Sequence, residues 1–344
     1  MSTATQYPSS PGPGIDAKVA FLRRPDAYPE RPARVEAVET HMSWIFLTDR
    51  RAYKLKKPVR YDFLDFSTAE ARRWDCEEEV RLNRRLAPDV YLGVLPLTCD
   101  PQGRMALDGE GEAIDWLVKM RRLPEERMLD HAIRRHVLRE ADIERVALRL
   151  ARFYRASRPI PLGGAEYVGR IADNVRENLR ELATPAFGLP AVLVRRIGAA
   201  QLGFLRDEAE LFEQRARAGR IVEGHGDLRP EHVCMEAEPA IIDCLEFRRD
   251  FRILDAADEL AFLAMECERL GEPSVGPVLF ETYSRETGDA PPAQLLSFYK
   301  SYRACLRAKI SIWHLKDAEV RRPEKWPRLA REYLELAQGY LSGP

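Results

Sequence analysis

A change of period after about residue 120 restricts this chain more than any other feature. Before that point the pattern is that of short strands around one helix. Val35–Glu39 and Ser43–Leu47 are β-like runs, and Thr48-Asp49-Arg50 makes a turn. Ala52–Lys57 returns as a strand that Pro58 ends. Ser67-Thr68-Ala69-Glu70 is a capping-box pattern, so the spacing predicts a helix from there to Leu86, stopping before Pro88. Tyr91–Thr98 and Ile114–Met120 read as strands, with a turn and a partner strand from Asp100-Pro101-Gln102-Gly103 onward. Beyond that, Ile143, Val146, Ala147, Leu150, Phe153 and Tyr154 repeat at helical spacing, as do stretches near 168–182, 190–217, 255–270 and 293–317. Only short strands at 221–243 interrupt this half. The expectation is an α+β fold: a small antiparallel β-lobe with one helix over 15–120, and a larger, mainly helical lobe over 121–344. Residues 1–14, rich in Ser, Pro and Gly, are expected to form a mobile tail.

A length of 344 residues allows two lobes, each with a core of its own. With 45% hydrophobic and 32% charged residues the chain is a folding one, and its net charge of −1 argues against a nucleic-acid role, which needs a basic face. The six cysteines are scattered with no CxxC pair, so they read as small core residues in a reducing compartment. There is no basic-then-apolar leader and no apolar run long enough to span a bilayer, so a cytoplasmic location without membrane association is expected.

Chemistry concentrates in His225-Gly226-Asp227-Leu228-Arg229-Pro230-Glu231-His232 and the Ile241-Ile242-Asp243 that follows. A polar loop lies between the apolar runs Ile221-Val222 and Val233-Cys234-Met235. Two acids, Asp227 and Asp243, are thereby presented at strand ends, 243 − 227 = 16 positions apart. Such a pair suits phosphoryl transfer, where one carboxylate orients the attacking hydroxyl and the other holds the nucleotide's metal. No G-x-x-x-x-G-K-[ST] occurs, which excludes a Walker-type domain.

The loop resembles the protein-kinase catalytic loop H-R-D-L-K-P-E-N, and the H-G-D-L form is closer to the aminoglycoside phosphotransferase-like kinases. Thr40–Phe46, Ala52–Val59, Leu64–Thr68 and Cys76–Asp89 are similar to segments of an uncharacterised bacterial branch of that group. The resemblance covers roughly residues 35 to 315. It implies a protein-kinase-like two-lobed fold with ATP and Mg²⁺ as cofactors. By position, Asp227 matches the catalytic aspartate and Asp243 the metal-binding one. Arg229 stands where protein kinases carry a lysine beside the transferred group. His225 is expected to brace the loop, and Asp258 to brace it from a helix start. Ala52 would roof the adenine and Lys54 grip the phosphates, with Lys56, on the same strand face, as fallback. Glu78 is the expected partner of Lys54, with Glu77 and Glu79 as fallbacks. Val118–Arg121, with Met120, would form the hinge at the adenine, and Ser43 in Thr40-His41-Met42-Ser43 would lie in the phosphate-covering loop.

Two positions depart from the pattern. No G-x-G-x-x-G covers the phosphates. His232 stands where the kinases carry an Asn that ligates the metal; an imidazole suits transition metals better than Mg²⁺. Either Asp243 and waters alone hold the metal, or Mn²⁺ replaces Mg²⁺, or metal binding is impaired; a hydrogen-bonded loop histidine is the plainer alternative. Lys300, Arg303 and Arg307 share one helix face. If it lines the site, Arg303 and Arg307 would favour an anionic substrate; a solvated face with surface ion pairs is the alternative. The leading expectation is an ATP-dependent phosphotransferase acting on a hydroxyl of a small molecule. The alternatives are a nucleotide-binding pseudokinase or regulatory module, and a metal-dependent hydrolase using His225, Asp227 and His232. The acceptor and the oligomeric state are not legible.

Overall fold

The computed structural model describes residues 12–61, 64–316 and 322–342, so most of the expected N-terminal tail lies outside the described residues. Two compact units emerge: Met1–Met128 with His232–Phe251, and Leu129–Glu231 with Arg252–Pro344.

The first unit is built on an antiparallel sheet of β1 (Glu36–Glu39), β2 (Ser43–Leu47), β3 (Arg51–Lys56), β4 (Tyr91–Cys99), β5 (Met105–Leu107) and β6 (Glu112–Arg121), in the order β1-β2-β3-β6-β4-β5. Alternation along the strands sends side chains to two covered faces. On one, Phe46, Tyr53, Leu55 and Leu117 pack against Val19 and Leu22 of helix α1 (Ile15–Leu22). On the other, Ala52, Val118, Met120 and Tyr91 pack against Cys76 and Val80 of helix α2 (Ala69–Asn83), and against Cys234 and Ala240. The latter two belong to a ribbon in which Val233–Cys234 pairs with Ala240–Ile241. The N-cap of α2 is Thr68, whose Oγ1 accepts from the Ala71 N–H at 3.1 Å. The expected cap at Ser67 is therefore displaced by one residue and the box with Glu70 does not form, because Asp65 engages the Ser67 hydroxyl and N–H instead. Asp115 ties the two faces together: it accepts from Lys18 of α1 at 2.8 Å and from Arg72 of α2 twice at 2.8 Å, all buried.

The second unit is helical: α3 (Leu129–Arg134), α4 (Glu140–Ala156), α5 (Gly164–Leu182), α6 (Ala191–Asp207), α7 (Ala209–Arg217), α8 (Ala256–Arg269), α9 (Val275–Thr287), α10 (Ala293–Trp313) and α11 (Lys325–Leu341). The stretch expected as one helical run over 190–217 bends at Glu208 into two helices. Ile221–Glu223 pairs antiparallel with Ile253–Asp255. That pairing sets the loop beginning at Gly224 beside the start of α8. Helix α8 is buried along nearly its whole length, from Ala256 to Cys267. Phe262 and Met265 pack with Ala304, Ala308, Tyr333 and Leu334, while Ala257 and Ala261 join Phe212, Phe298 and Tyr299. No helix among the described residues is long and apolar enough to cross a membrane.

Candidate functional site

In the first unit, Lys54 Nζ lies 2.9 Å from Glu79 Oε1 and 2.9 Å from Asp243 Oδ1. Burial opposes its charge, yet the carboxylates of Asp243, Glu79 and Glu246 outweigh that and hold the ammonium well above the ordinary lysine range. The expected Lys54–Glu78 pair is replaced by Lys54–Glu79. One helical position rotates a side chain by about 100°, and Glu78 instead receives Arg81 at 2.6 Å. Lys56, two residues on and on the same face, is 1% exposed and meets Asp75 Oδ2 at 2.6 Å, Glu79 Oε2 at 2.7 Å and Glu246 Oε1 at 2.6 Å. Enclosed by three carboxylates, it is not the residue that reaches a ligand.

Asp243 leaves its side chain 45% exposed. Its backbone is left-handed, φ +61°, a conformation that costs a residue with a Cβ about 1–2 kcal/mol. Two neighbours hold it: the Asp243 N–H donates to the Tyr91 hydroxyl at 3.0 Å and the Cys244 N–H to Asn83 Oδ1 at 2.9 Å. His232, buried, places Nε2 3.5 Å from Asp243 Oδ2. Ala52 and Met120 are direct cross-strand partners, both buried. Ser43 is buried in a turn in which its N–H donates to Thr40 Oγ1 at 3.0 Å.

In the second unit, Asp227 sits on a loop fixed from inside. Glu259 of α8 accepts from the His225 N–H at 2.9 Å and the Gly226 N–H at 2.6 Å, and Tyr154 donates to Glu259 Oε2 at 2.7 Å. The carboxylate approaches so closely that a Cβ on Gly224 would stand 2.6 Å from Glu259 Oε2. Leu228 is fully buried and pins the loop on its other side, leaving Asp227 partly exposed. His225, also fully buried, accepts the Asp227 N–H at its Nδ1, 3.3 Å away.

The brace from the helix start is therefore Glu259, and Asp258 has a different partner. Asp258 binds Arg303 with two bonds of 2.7 and 2.6 Å, both groups buried. Arg303 is thus an interior ion pair rather than a substrate-facing cation, contrary to the expectation for it. The sequence marks three acids at the start of α8, and their roles separate by rotation around the helix. Asp255 caps it by accepting the Ala257 N–H, Asp258 pairs with Arg303, and Glu259 holds the loop. Missed altogether were Asp75 and Glu246, for which spacing gave no signal.

Arg229 Nε donates to Asp227 Oδ2 at 3.0 Å, and its Nη1 engages Glu231. Arg307 donates through Nε to Glu266 at 3.0 Å, with the Tyr333 hydroxyl on the same carboxylate at 2.7 Å. Its terminal nitrogens carry no hydrogen bond among the described residues. Burial works against the charge of both arginines; Asp227 and neighbouring acids hold them above the ordinary range.

Among the described residues no group of three or more His, Cys, Asp or Glu forms a metal cage. Mg²⁺ does not need one, since it keeps several waters and is bound through one or two carboxylates plus phosphate oxygens. The half-exposed Asp243 carboxylate fits that requirement; the His232 imidazole does not add a hard oxygen ligand.

No family model matches the chain. Curated relatives do: an uncharacterized protein of Mycobacterium tuberculosis and one of Mycobacterium bovis are each 38% identical over 279 residues, 80% of this chain and 54% of theirs. The chain thus spans about half the length of the curated relatives it matches. Among solved structures, a choline/ethanolamine kinase family protein from Mesorhizobium loti is similar with a TM-score of 0.54 at 14% identity, covering 94% of this chain and 97% of that one. A choline kinase from Cryptosporidium parvum is similar with a TM-score of 0.54 at 11% identity, covering 94% and 92%. The mixed α+β build, an antiparallel sheet with a larger helical portion, matches these neighbours. In its fold the chain is similar to these choline and ethanolamine kinase structures.

Proposed function

We propose that this protein is an ATP-dependent phosphotransferase that transfers the γ-phosphoryl group to a hydroxyl of a small molecule. The observation that carries the reading is Lys54, bonded at 2.9 Å to both the α2 carboxylate Glu79 and to Asp243. A fully charged lysine so held is a preformed phosphate ligand, and needs no reorganisation when the nucleotide arrives. Asp243 would hold Mg²⁺, or Mn²⁺ if His232 takes part, and the ion would neutralise charge on the phosphates. Asp227 would accept or orient the proton of the acceptor hydroxyl, on a loop that Glu259 keeps rigid. Arg229, bonded to Asp227, would offset charge developing on the transferred group. Ala52 and Met120 would contact the adenine, with Ser43 near the phosphates.

Arg307 extends the reading to the acceptor. Its terminal nitrogens are unused among the described residues while its stem is fixed by Glu266, and Asp227 is among the acids that sustain its charge. That supports an acceptor bearing phosphate or carboxylate. A cytoplasmic location is supported by the cysteines, none of which forms a disulfide.

The test is a metabolite screen for ATP-dependent gain of one phosphoryl group. We expect an anionic hydroxyl compound to be phosphorylated, and Asp227→Asn to lower kcat at least 100-fold while Mg²⁺–ATP still binds. Turnover surviving that substitution would overturn the role of Asp227, and a cationic acceptor would overturn the anionic reading. A nucleotide-binding module without turnover is the second reading, favoured by His232 beside Asp243; ATP binding with no phosphorylation under Mg²⁺ or Mn²⁺ would establish it.

A further inference from the structure

Two lysines on β3 share one carboxylate. Glu79 gives Oε1 to Lys54 and Oε2 to Lys56. Lys56 in turn holds Glu246, three residues after Asp243, and Asp243 closes on Lys54. The contacts form a ring: Lys54, Glu79, Lys56, Glu246, back along the chain to Asp243, and so to Lys54. Every ionic link in it measures 2.6–2.9 Å. Lys56 is 1% exposed and Glu79 not at all, so the inner half of the ring is desolvated. The opposing acids Asp75, Glu79 and Glu246 all contact Lys56. Removing the ammonium would take from Asp75, Glu79 and Glu246 the cation they share and leave Glu79 to Lys54 alone, and the crowded acids would move apart.

We propose that Lys56 is a positioning residue for the nucleotide phosphates, fixing Glu79 on one side and the backbone beyond Asp243 on the other, so that Lys54 has a single orientation. This rests on the reading of Lys54 as the phosphate ligand. Lys56 itself never touches the nucleotide. Its effect therefore belongs to the phosphate part of the affinity and not to the adenosine part. A lysine placed only for stability would weaken both parts or neither.

The experiment is calorimetric titration of the full chain with Mg²⁺–ATP and, separately, with adenosine, for wild type, Lys54→Met, Lys56→Met, Lys56→Arg and Glu246→Gln. We expect Lys54→Met and Lys56→Met each to weaken Mg²⁺–ATP about tenfold, the effect of losing one well-placed charged contact, while adenosine affinity stays within about twofold. Lys56→Arg should recover part of the loss, and Glu246→Gln should shift ATP affinity in the same direction as Lys56→Met. Unchanged ATP affinity in Lys56→Met, or equal losses for ATP and adenosine, would overturn the proposal. Should Lys56→Met fail to fold, Glu246→Gln decides, and wild-type ATP affinity in that variant overturns it. If wild type binds adenosine and ATP equally well, or binds neither, the Lys54 reading fails first. If Lys54→Met alone loses ATP affinity, that reading stands and only the role of Lys56 falls.

Discussion

Residues of one type take opposite fates here according to what surrounds them. Arg303 and Arg307 lie one helical turn apart on α10, and sequence spacing treats them alike. Asp258 draws Arg303 inside, whereas Arg307 is fixed only through Nε. Nothing in the linear pattern distinguishes them, because the deciding acids come from α8. The same holds for Glu78 and Glu79: period alone allowed either, and the position of β3 selected Glu79. Asp75 gives the sharpest single-residue consequence. Burial, more than any neighbour, pushes its carboxyl up to about 7, against an ordinary value of 3.8. A raised acid favours the protonated fold, so its contribution to stability is complete below about pH 4 and is lost as pH rises through about 7. Asp75→Asn removes this titration. Melting curves should therefore show the variant gaining on wild type steadily between pH 4 and 8, by several degrees in all; a constant difference across that range would count against it.

The elements that carry the candidate site were the most legible part of the chain. The ends expected for β2 are the ends it has, and those expected for β1, β3, β4 and β6 lie within about two residues of the observed ones, since alternation with turn residues at each end leaves little freedom, whereas the strand Ile253–Asp255 gives no such signal. Helices α1, α3, α9 and α11 are not singled out by the sequence pattern, and the break at Glu208 carries no glycine or proline to announce it. Tertiary packing, rather than local propensity, sets these. At the junction of the Ile221–Glu223 strand and the loop after it, the tolerance is small. Gly224→Ala would drive a methyl to 2.6 Å from Glu259 Oε2 and 3.0 Å from Leu254 Cδ1. Glu259 would have to release at least one of the amides of His225 and Gly226, at a cost of about 1–3 kcal/mol. Thermal denaturation should show a lower Tm, and hydrogen exchange should show faster loss of protection at Gly226 than at residues in the middle of α10.

For the whole molecule, the two compact units do not follow the chain in order. The path leaves the first unit after Met128, returns at His232 and leaves again after Phe251. The ribbon residues Cys234 and Ala240 complete the core around Val90, Tyr91 and Met120. A fragment ending at Met128 lacks them, and it also lacks Asp243 and Glu246, the counter-charges of Lys54 and Lys56. Such a fragment should melt without a cooperative transition by circular dichroism, and cooperative melting near the full-length Tm would contradict this. Sequence reading drew its boundary near residue 120 because periodicity changes there. The short strands near 221–243 are legible, but nothing in their pattern says that the ribbon among them packs back on the first unit, because that contact is tertiary.

That interleaved path also bears on how such a chain can change over evolutionary time. The acid Asp227 and the carboxylate Asp243 belong to different units, yet the stretch joining them is short and continuous. A recombination event that exchanged one whole unit for a homologous one would need three crossovers, after Met128, Glu231 and Phe251, and the second would part Asp227 from Asp243. Change by point substitution within either unit is therefore the easier route, and it leaves the two acids inherited together on one short stretch.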